Sequence, residues 1–191
     1  THLKGLFAQK AIEVNIPHNW DDYYGYRQLT HGNLHGTAIY EKTFTLDDSQ
    51  FLISNSSFGK RYFLRFEGVG TYATVTLNGK DFGRHPVGRT TLTLDVTEAL
   101  KPGENRLVVK AEHPEMIADM PWVCGGCSSE WGFSEGSQPL GIFRPVVLEA
   151  TDEIRIEPFG VHIWNDDKAG TVFVETEVKN YGKTAETVEV V

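Results

Sequence analysis

Cysteine is scarce in this 191-residue chain; the only two, Cys124 and Cys127, stand in one Cys-Gly-Gly-Cys motif. A four-ligand zinc site needs two further N or S ligands, and His113 is the nearest residue that offers one. A thioredoxin-like redox pair needs a βαβ setting, which the pattern lacks. A local disulfide closing a small loop, or two plain thiols, remains open; a disulfide would imply an oxidising compartment. Positive charge is also short: 18 Lys and Arg face 26 Asp and Glu, a net charge of −8. That argues against nucleic acid and anionic membrane as partners and says little about a neutral partner such as a sugar. No apolar run is long enough to span a bilayer. A basic start followed by an apolar stretch is missing too. The start at Thr1 without Met reads as a processed or a trimmed chain, and the expectation is a periplasmic or secreted protein with its signal peptide removed.

Helical periodicity is nearly absent, and short alternating runs take its place. Thr37–Leu46 alternates; Tyr62, Leu64 and Phe66 share one strand face against Arg61, Arg65 and Glu67; Ala73, Val75 and Leu77 do the same against Thr74 and Thr76. Leu92, Leu94 and Val96, then Leu107–Val109, Ile142–Leu148 and Ile154–Ile156 continue the series. Asn78-Gly79 between two such runs is a hairpin signal, because a tight turn needs positive φ at both central positions. Lys101-Pro102-Gly103 is a second turn. Only Thr97–Leu100 looks helical, and for one turn at most; Asp95 and Thr97 are placed to cap it. Nineteen glycines and 12% aromatics suit a turn-rich β protein.

A boundary is expected near Ala150–Glu153, giving a β-sandwich over residues 1–150. Residues 151–191, with strands expected over Thr171–Lys179 and Glu186–Val191 around the turn at Asn180–Lys183, read as the opening strands of an immunoglobulin-like sandwich, which needs about seven. The chain stops inside an apolar strand, so the parent polypeptide is expected to continue.

His113–Leu140 has no clear period. Long stretches without their own secondary structure tend to be functional. This one holds Trp122, Glu130, Trp131, Phe133, Glu135 and Gln138, aromatic faces beside short polar groups as a sugar contact would use. Trp20-Asp21-Asp22-Tyr23-Tyr24 is a second aromatic and acidic cluster. Its Asp pair with loop carbonyls is a conceivable Ca²⁺ holder. His31 and His35 have a metal-ligand spacing only on a helix, which the glycines between and beside them oppose.

In order along the chain stand Ile16-Pro17-His18-Asn19-Trp20, Tyr40-Glu41-Lys42-Thr43-Phe44, Arg65-Phe66-Glu67-Gly68-Val69, Val75-Thr76-Leu77-Asn78-Gly79, Gly83-x-His85-x-x-Gly88, Asp95-Val96-Thr97-x-x-Leu100, Gly103-Glu104-Asn105-x-Leu107 and Gly141-Ile142-Phe143-Arg144-Pro145-Val146. This succession resembles the N-terminal, sugar-binding-type domain of glycoside hydrolase family 2, the family of β-galactosidases, β-glucuronidases and β-mannosidases. Val87 departs from it where a second glycine is usual. The resemblance implies a jelly-roll β-sandwich leading into an immunoglobulin-like domain. Retaining glycoside hydrolysis uses two carboxylates about 5–5.5 Å apart. In the family both lie on a C-terminal (β/α)₈ barrel, which alone needs about 250 residues and has no counterpart here.

The expectation is therefore a non-catalytic region of a glycosidase acting on β-linked sugars, of β-galactosidase or β-glucuronidase type. The family's loop just before Gly-Ile-x-Arg can reach the active site. By resemblance, Glu135, then Glu130, Gln138 and Trp131, are the substrate-proximal candidates, although the Gly-Ser-rich loop here departs from the family. Trp20, Tyr24 and Trp122 are the stacking candidates, and Arg144 is expected to pair with a buried carboxylate or with carbonyls. The expected partners are carbohydrate, the remainder of the same polypeptide and, through exposed strand edges, a second copy. No cofactor is expected; a Ca²⁺ or Na⁺ ion is not required. Two alternatives stay open: an autonomous carbohydrate-binding module, whose affinity would sit in exposed aromatics, and a purely structural or interaction sandwich.

Overall fold

The computed structural model describes residues 11–20, 35–47, 60–114 and 139–189. Nine strands and no helix occur among them: β1 (Gly36–Leu46), β2 (Lys60–Phe66), β3 (Val69–Leu77), β4 (Lys80–Gly88), β5 (Leu92–Asp95), β6 (Gly103–His113), β7 (Val146–Asp152), β8 (Ile154–Asp166) and β9 (Thr171–Asn180). Antiparallel pairing gives a four-stranded sheet in the order β1-β6-β3-β4, a three-stranded sheet β5-β2-β7 and a separate hairpin β8-β9. The period-two pattern works as expected. Tyr62, Leu64 and Phe66 from one sheet meet Ala73, Val75, Leu77, Val109 and Ala111 from the other in a single buried cluster. The inner faces of two sheets packed this way make a β-sandwich.

The turns hold as their chemistry predicts. Asn78 (φ 51°) and Gly79 (φ 86°) join β3 to β4, the two positive φ values a two-residue hairpin loop requires. Asp95 accepts from Thr97 N at 3.1 Å, and Val96 O receives Ala99 N and Leu100 N, closing one turn. The Asn78 amide then ties that turn to the next. Its Nδ2 donates to Ala99 O (2.8 Å) and to Asn105 Oδ1 (2.7 Å), while its Oδ1 accepts from Arg106 N. The Asn105 side chain, fully buried, also donates to the carbonyls of Lys101 and Gly103 and accepts from Lys101 N. Removing one partner of a buried polar network leaves the others unsatisfied. Asn105→Ala is expected to cost about 3 kcal/mol, read as a lower urea midpoint at unchanged slope. A loss below about 1 kcal/mol would mean that the network is dispensable.

Three sequence expectations change. Ile142 and Phe143 do not belong to β7, which begins at Val146; Gly141 instead forms an isolated bridge with Gly70. Residues 186–189 are not a strand, because no strand among the described residues pairs with them; an alternating sequence makes a strand only when its backbone is paired. Phe63, on the polar-looking face of β2, is 2% exposed. The Arg155 guanidinium lies 3.5 Å over its ring and Tyr181 meets it edge-on at 5.2 Å, so β8 and the residues after β9 close that face of the sandwich.

Candidate functional site

The end of the sandwich at Gly70-Thr71 gathers the attachment points of both aromatic-rich segments. β6 ends at His113, fully buried, whose Nδ1 lies 2.7 Å from Thr71 Oγ1. The chain returns at Pro139 and two residues later pairs with β3 again, Gly70 N donating to Gly141 O at 2.9 Å. Consecutive residues of one strand therefore hold the departure and the return of segment 115–138. Only glycine fits this crossing: a Cβ on Gly70 would lie 1.8 Å from Pro139 O.

A second strand and the N-terminal stretch lock the return. His18 N donates to Ile142 O (2.7 Å), and His18 Nδ1 lies 2.8 Å from Tyr40 Oη on β1. Asn19 Oδ1 accepts from Leu140 N at 3.3 Å. Burial raises the Tyr40 phenol pKa above its usual value, partly offset by a hydrogen bond with the Ile142 backbone. Gly141 sits at φ +81°, with Tyr40 Oη 2.2 Å from where a side chain would start. Leu140 and Ile142 are buried on either side, so the return is anchored by packing as well as by hydrogen bonds.

Segment 21–34 begins and ends here as well. Trp20 packs against the sandwich core and borders Gly141. His35, at the other end, stacks on His113 with ring centroids 5.0 Å apart and planes 5° from parallel. Burial, with His35 adding charge repulsion, lowers the His113 pKa to about 3, so the ring is neutral at physiological pH. Among the described residues, His113 Nε2 and His35 Nδ1 are buried without hydrogen-bond partners.

Beside the return lies an open groove of about 450 Å³ lined by Asn19, Arg89, Pro139, Phe143 and Arg144. Arg144 is exposed there and reaches a carbonyl, Arg89 O, at 3.4 Å rather than a buried carboxylate. Its exposure follows from position: it is carried outward between Phe143, whose ring covers Gly68, and Pro145.

Of the sequence candidates, Trp20 lies at this end of the sandwich. Tyr24, Trp122, Cys124, Cys127, Glu130, Trp131, Glu135 and Gln138 lie outside the described residues, as do Asp21, Asp22 and His31. Among the described residues, no three His, Cys, Asp or Glu side chains gather as a cation site. Gly70, Thr71, the bond from Tyr40 to His18 and the stacking role of His35 were not legible beforehand, because each acts through a partner distant in sequence. The Ile16–Trp20, Tyr40–Phe44 and Gly141–Val146 blocks carried a signal.

Comparison with known proteins agrees with this architecture. Residues 9–120 match the family model described as the glycosyl hydrolase 2 galactose-binding domain-like domain. The chain is 32% identical over 146 residues to a β-glucuronidase of Bacteroides fragilis, covering 76% of this chain and 18% of the relative. It is 27% identical to a β-galactosidase of Bacteroides ovatus, covering 93% of this chain and 19% of that one. A crystal structure from Bacteroides fragilis, provisionally assigned as a β-galactosidase, superposes with a TM-score of 0.69 at 28% identity, over 94% of this chain and 25% of that one. The chain thus spans less than a fifth of the length of these two curated relatives. The matched model covers more than half of the chain, and the chain belongs to the glycosyl hydrolase 2 galactose-binding domain-like family.

Proposed function

We propose that this domain shapes the entrance to the active site of a β-glycosidase whose catalytic carboxylates lie elsewhere in a longer polypeptide. One observation carries the reading: both ends of segment 115–138 are fixed at Gly70-Thr71, so a rigid sandwich presents the segment that holds Glu130, Trp131, Glu135 and Gln138. β-Glucuronidases and β-galactosidases among the relatives favour a β-linked sugar as substrate. Glu135 is proposed as a positioning group, accepting from a substrate hydroxyl and taking no part in proton transfer. The hairpin β8-β9 is apolar on an open face, with Ile163, Val172 and Val174 more than 60% exposed. It is proposed as a seat for the rest of the polypeptide, with pairing to a second copy as the competing use of its edges.

The test separates the two parts of this reading. The 191-residue chain is expected to hydrolyse no aryl β-glycoside, and turnover that persists through further purification would overturn the non-catalytic assignment. In the full-length enzyme, Glu135→Ala is expected to lower kcat/KM by about one to two decades, the worth of a charged hydrogen bond to a hydroxyl. Wild-type kinetics in that variant would remove Glu135 from the substrate.

A further inference from the structure

A second groove, of about 620 Å³, lies toward the other end of β7 and is lined by Arg65, Glu149, Thr151, Arg155, Ile156 and Phe159 among others. Phe159 is 80% exposed and sits at φ 62°, a conformation that bulky residues rarely adopt and that needs strong support from its surroundings. The support is visible. Between the pairs Ile156↔Val178 and Val161↔Thr176, four residues of β8 stand opposite one of β9, a bulge of three extra residues. Gly160 lets the bulge close tightly, since a Cβ there would meet Glu157 O at 2.8 Å. The Glu157 carboxylate is held by Arg155 Nη2 at 2.9 Å, by the Tyr181 hydroxyl and by Lys179 at 3.6 Å. Burying a large apolar ring is the ordinary economy of a fold. Here the backbone is built to hold one out beside a polar groove.

The polar side of the groove has unspent hydrogen-bonding capacity. Arg155 is 8% exposed at its side chain, and its buried Nε has no hydrogen-bond partner among the described residues. Arg65 uses Nε on Glu149 and Nη1 on Glu67, both at 2.6 Å, and Nη2 takes part in neither bond. Glu149 Oε2 is 4.0 Å from Arg155 Nη1, too long for a hydrogen bond. Charge is balanced around the groove: Arg65, Arg155 and Lys179 against Glu67, Glu149 and Glu157. A balanced site with donors and acceptors on one wall and an aromatic face on the other suits a neutral ligand with vicinal hydroxyls and an apolar face, not a phosphate or a carboxylate.

We infer that this groove is a carbohydrate-binding site separate from the segment 115–138, taking a neutral pyranoside with its C–H face on Phe159 and its hydroxyls on Glu149, Arg65 and Arg155. The aromatic supplies contact area and the fixed ion pairs supply orientation.

The test uses the 191-residue chain and two probes, methyl β-D-glucopyranoside and methyl β-D-galactopyranoside, followed by backbone amide NMR. Saturable shifts centred on 149–161 are expected, with a Kd of about 1–10 mM for the better probe. Phe159→Ala is expected to weaken binding about tenfold, Glu149→Gln less, and Phe159→Trp to retain it. Phe159 is exposed, so the alanine variant should fold, which unchanged amide shifts in β2 and β3 would verify. Absence of saturable shifts at 149–161, or equal affinity in Phe159→Ala, overturns the site. So does a lowered Tm of full-length Phe159→Ala with no sugar response in either protein, which would make the groove a packing surface for another part of the polypeptide.

Discussion

Between pH 6.5 and 4.5 the fold is expected to lose about 2.3 kcal/mol through His113 alone. The ring takes a proton near pH 6.5 when unfolded but only at about 3 when folded. The unfolded chain therefore binds the extra proton throughout that interval. The stability at stake is fully present above pH 6.5, falls as the pH drops toward 3, and amounts to about 4–5 kcal/mol over the whole range. The structural cause is plain. Whichever ring nitrogen carries the proton of the neutral form, a second proton leaves the imidazolium buried, with one nitrogen against Thr71 Oγ1 and the other, Nε2, without an acceptor among the described residues. Asp95, Glu112 and Glu157, whose pKa values are lowered by hydrogen bonds and ion pairs that outweigh burial, add their own losses only at lower pH, as the unfolded carboxyls protonate near 4. Urea midpoints of the wild type and His113→Gln across pH 7.5–4.5 check this. The variant, whatever its stability at pH 7, should show a much flatter dependence above pH 4.5. Equal slopes would assign the effect elsewhere.

Gly70→Ala should be the most damaging single-methyl addition in the described structure. The new Cβ would fall 1.8 Å from Pro139 O and 2.9 Å from Pro139 C, and backbone atoms cannot swing aside as a side-chain tip can. Relief requires the 139–142 stretch to lift from β3, which breaks the Gly70–Gly141 bond and disturbs buried Leu140 and Ile142. Overpacking of this kind costs about 3 kcal/mol or more. Gly36→Ala is the control: nothing lies within 4 Å of its Cβ position, and a change within about 0.5 kcal/mol is expected. Thermal melts of both variants check the contrast. On the proposed reading, Gly70→Ala in the longer polypeptide should also lower kcat/KM for a β-glycoside at a temperature where it remains folded, because the segment's return would be displaced. A stable Gly70→Ala would mean that Pro139 yields easily and that the anchoring is loose.

The parts of the fold that depend on neighbours in sequence were legible. Asn78-Gly79 dictates its turn by its own φ preferences, and Tyr62, Leu64 and Phe66 declare their face by alternation. Illegible parts depend on a distant partner. Phe63 looks like a solvent-facing residue until Arg155 and Tyr181 cover it. Glu186–Val188 alternates convincingly, yet an alternating sequence cannot show whether a second strand is there to pair with it. At the site, the sequence pointed to the segment between His113 and Leu140 but not to how it is held. A buried histidine reads as a metal ligand when alone; here its partners are a threonine 42 residues earlier and another imidazole. Phe159 gave no signal at all, since nothing in its neighbours states that a ring will be held outward.

Fastening the two ends of a long segment to adjacent residues of one strand has an evolutionary corollary. The gap the segment must bridge is preset by the scaffold, so its length and content can change without moving the sandwich. Doubling a flexible loop adds only about 0.6 kcal/mol of closure entropy. Inserting, deleting or wholly exchanging residues between His113 and Pro139 should therefore be tolerated as long as Gly70, Thr71 and Gly141 are kept. That arrangement makes the domain a socket, in which one framework accepts many inserts and new preferences arise by replacement of a cassette while the core stays the same.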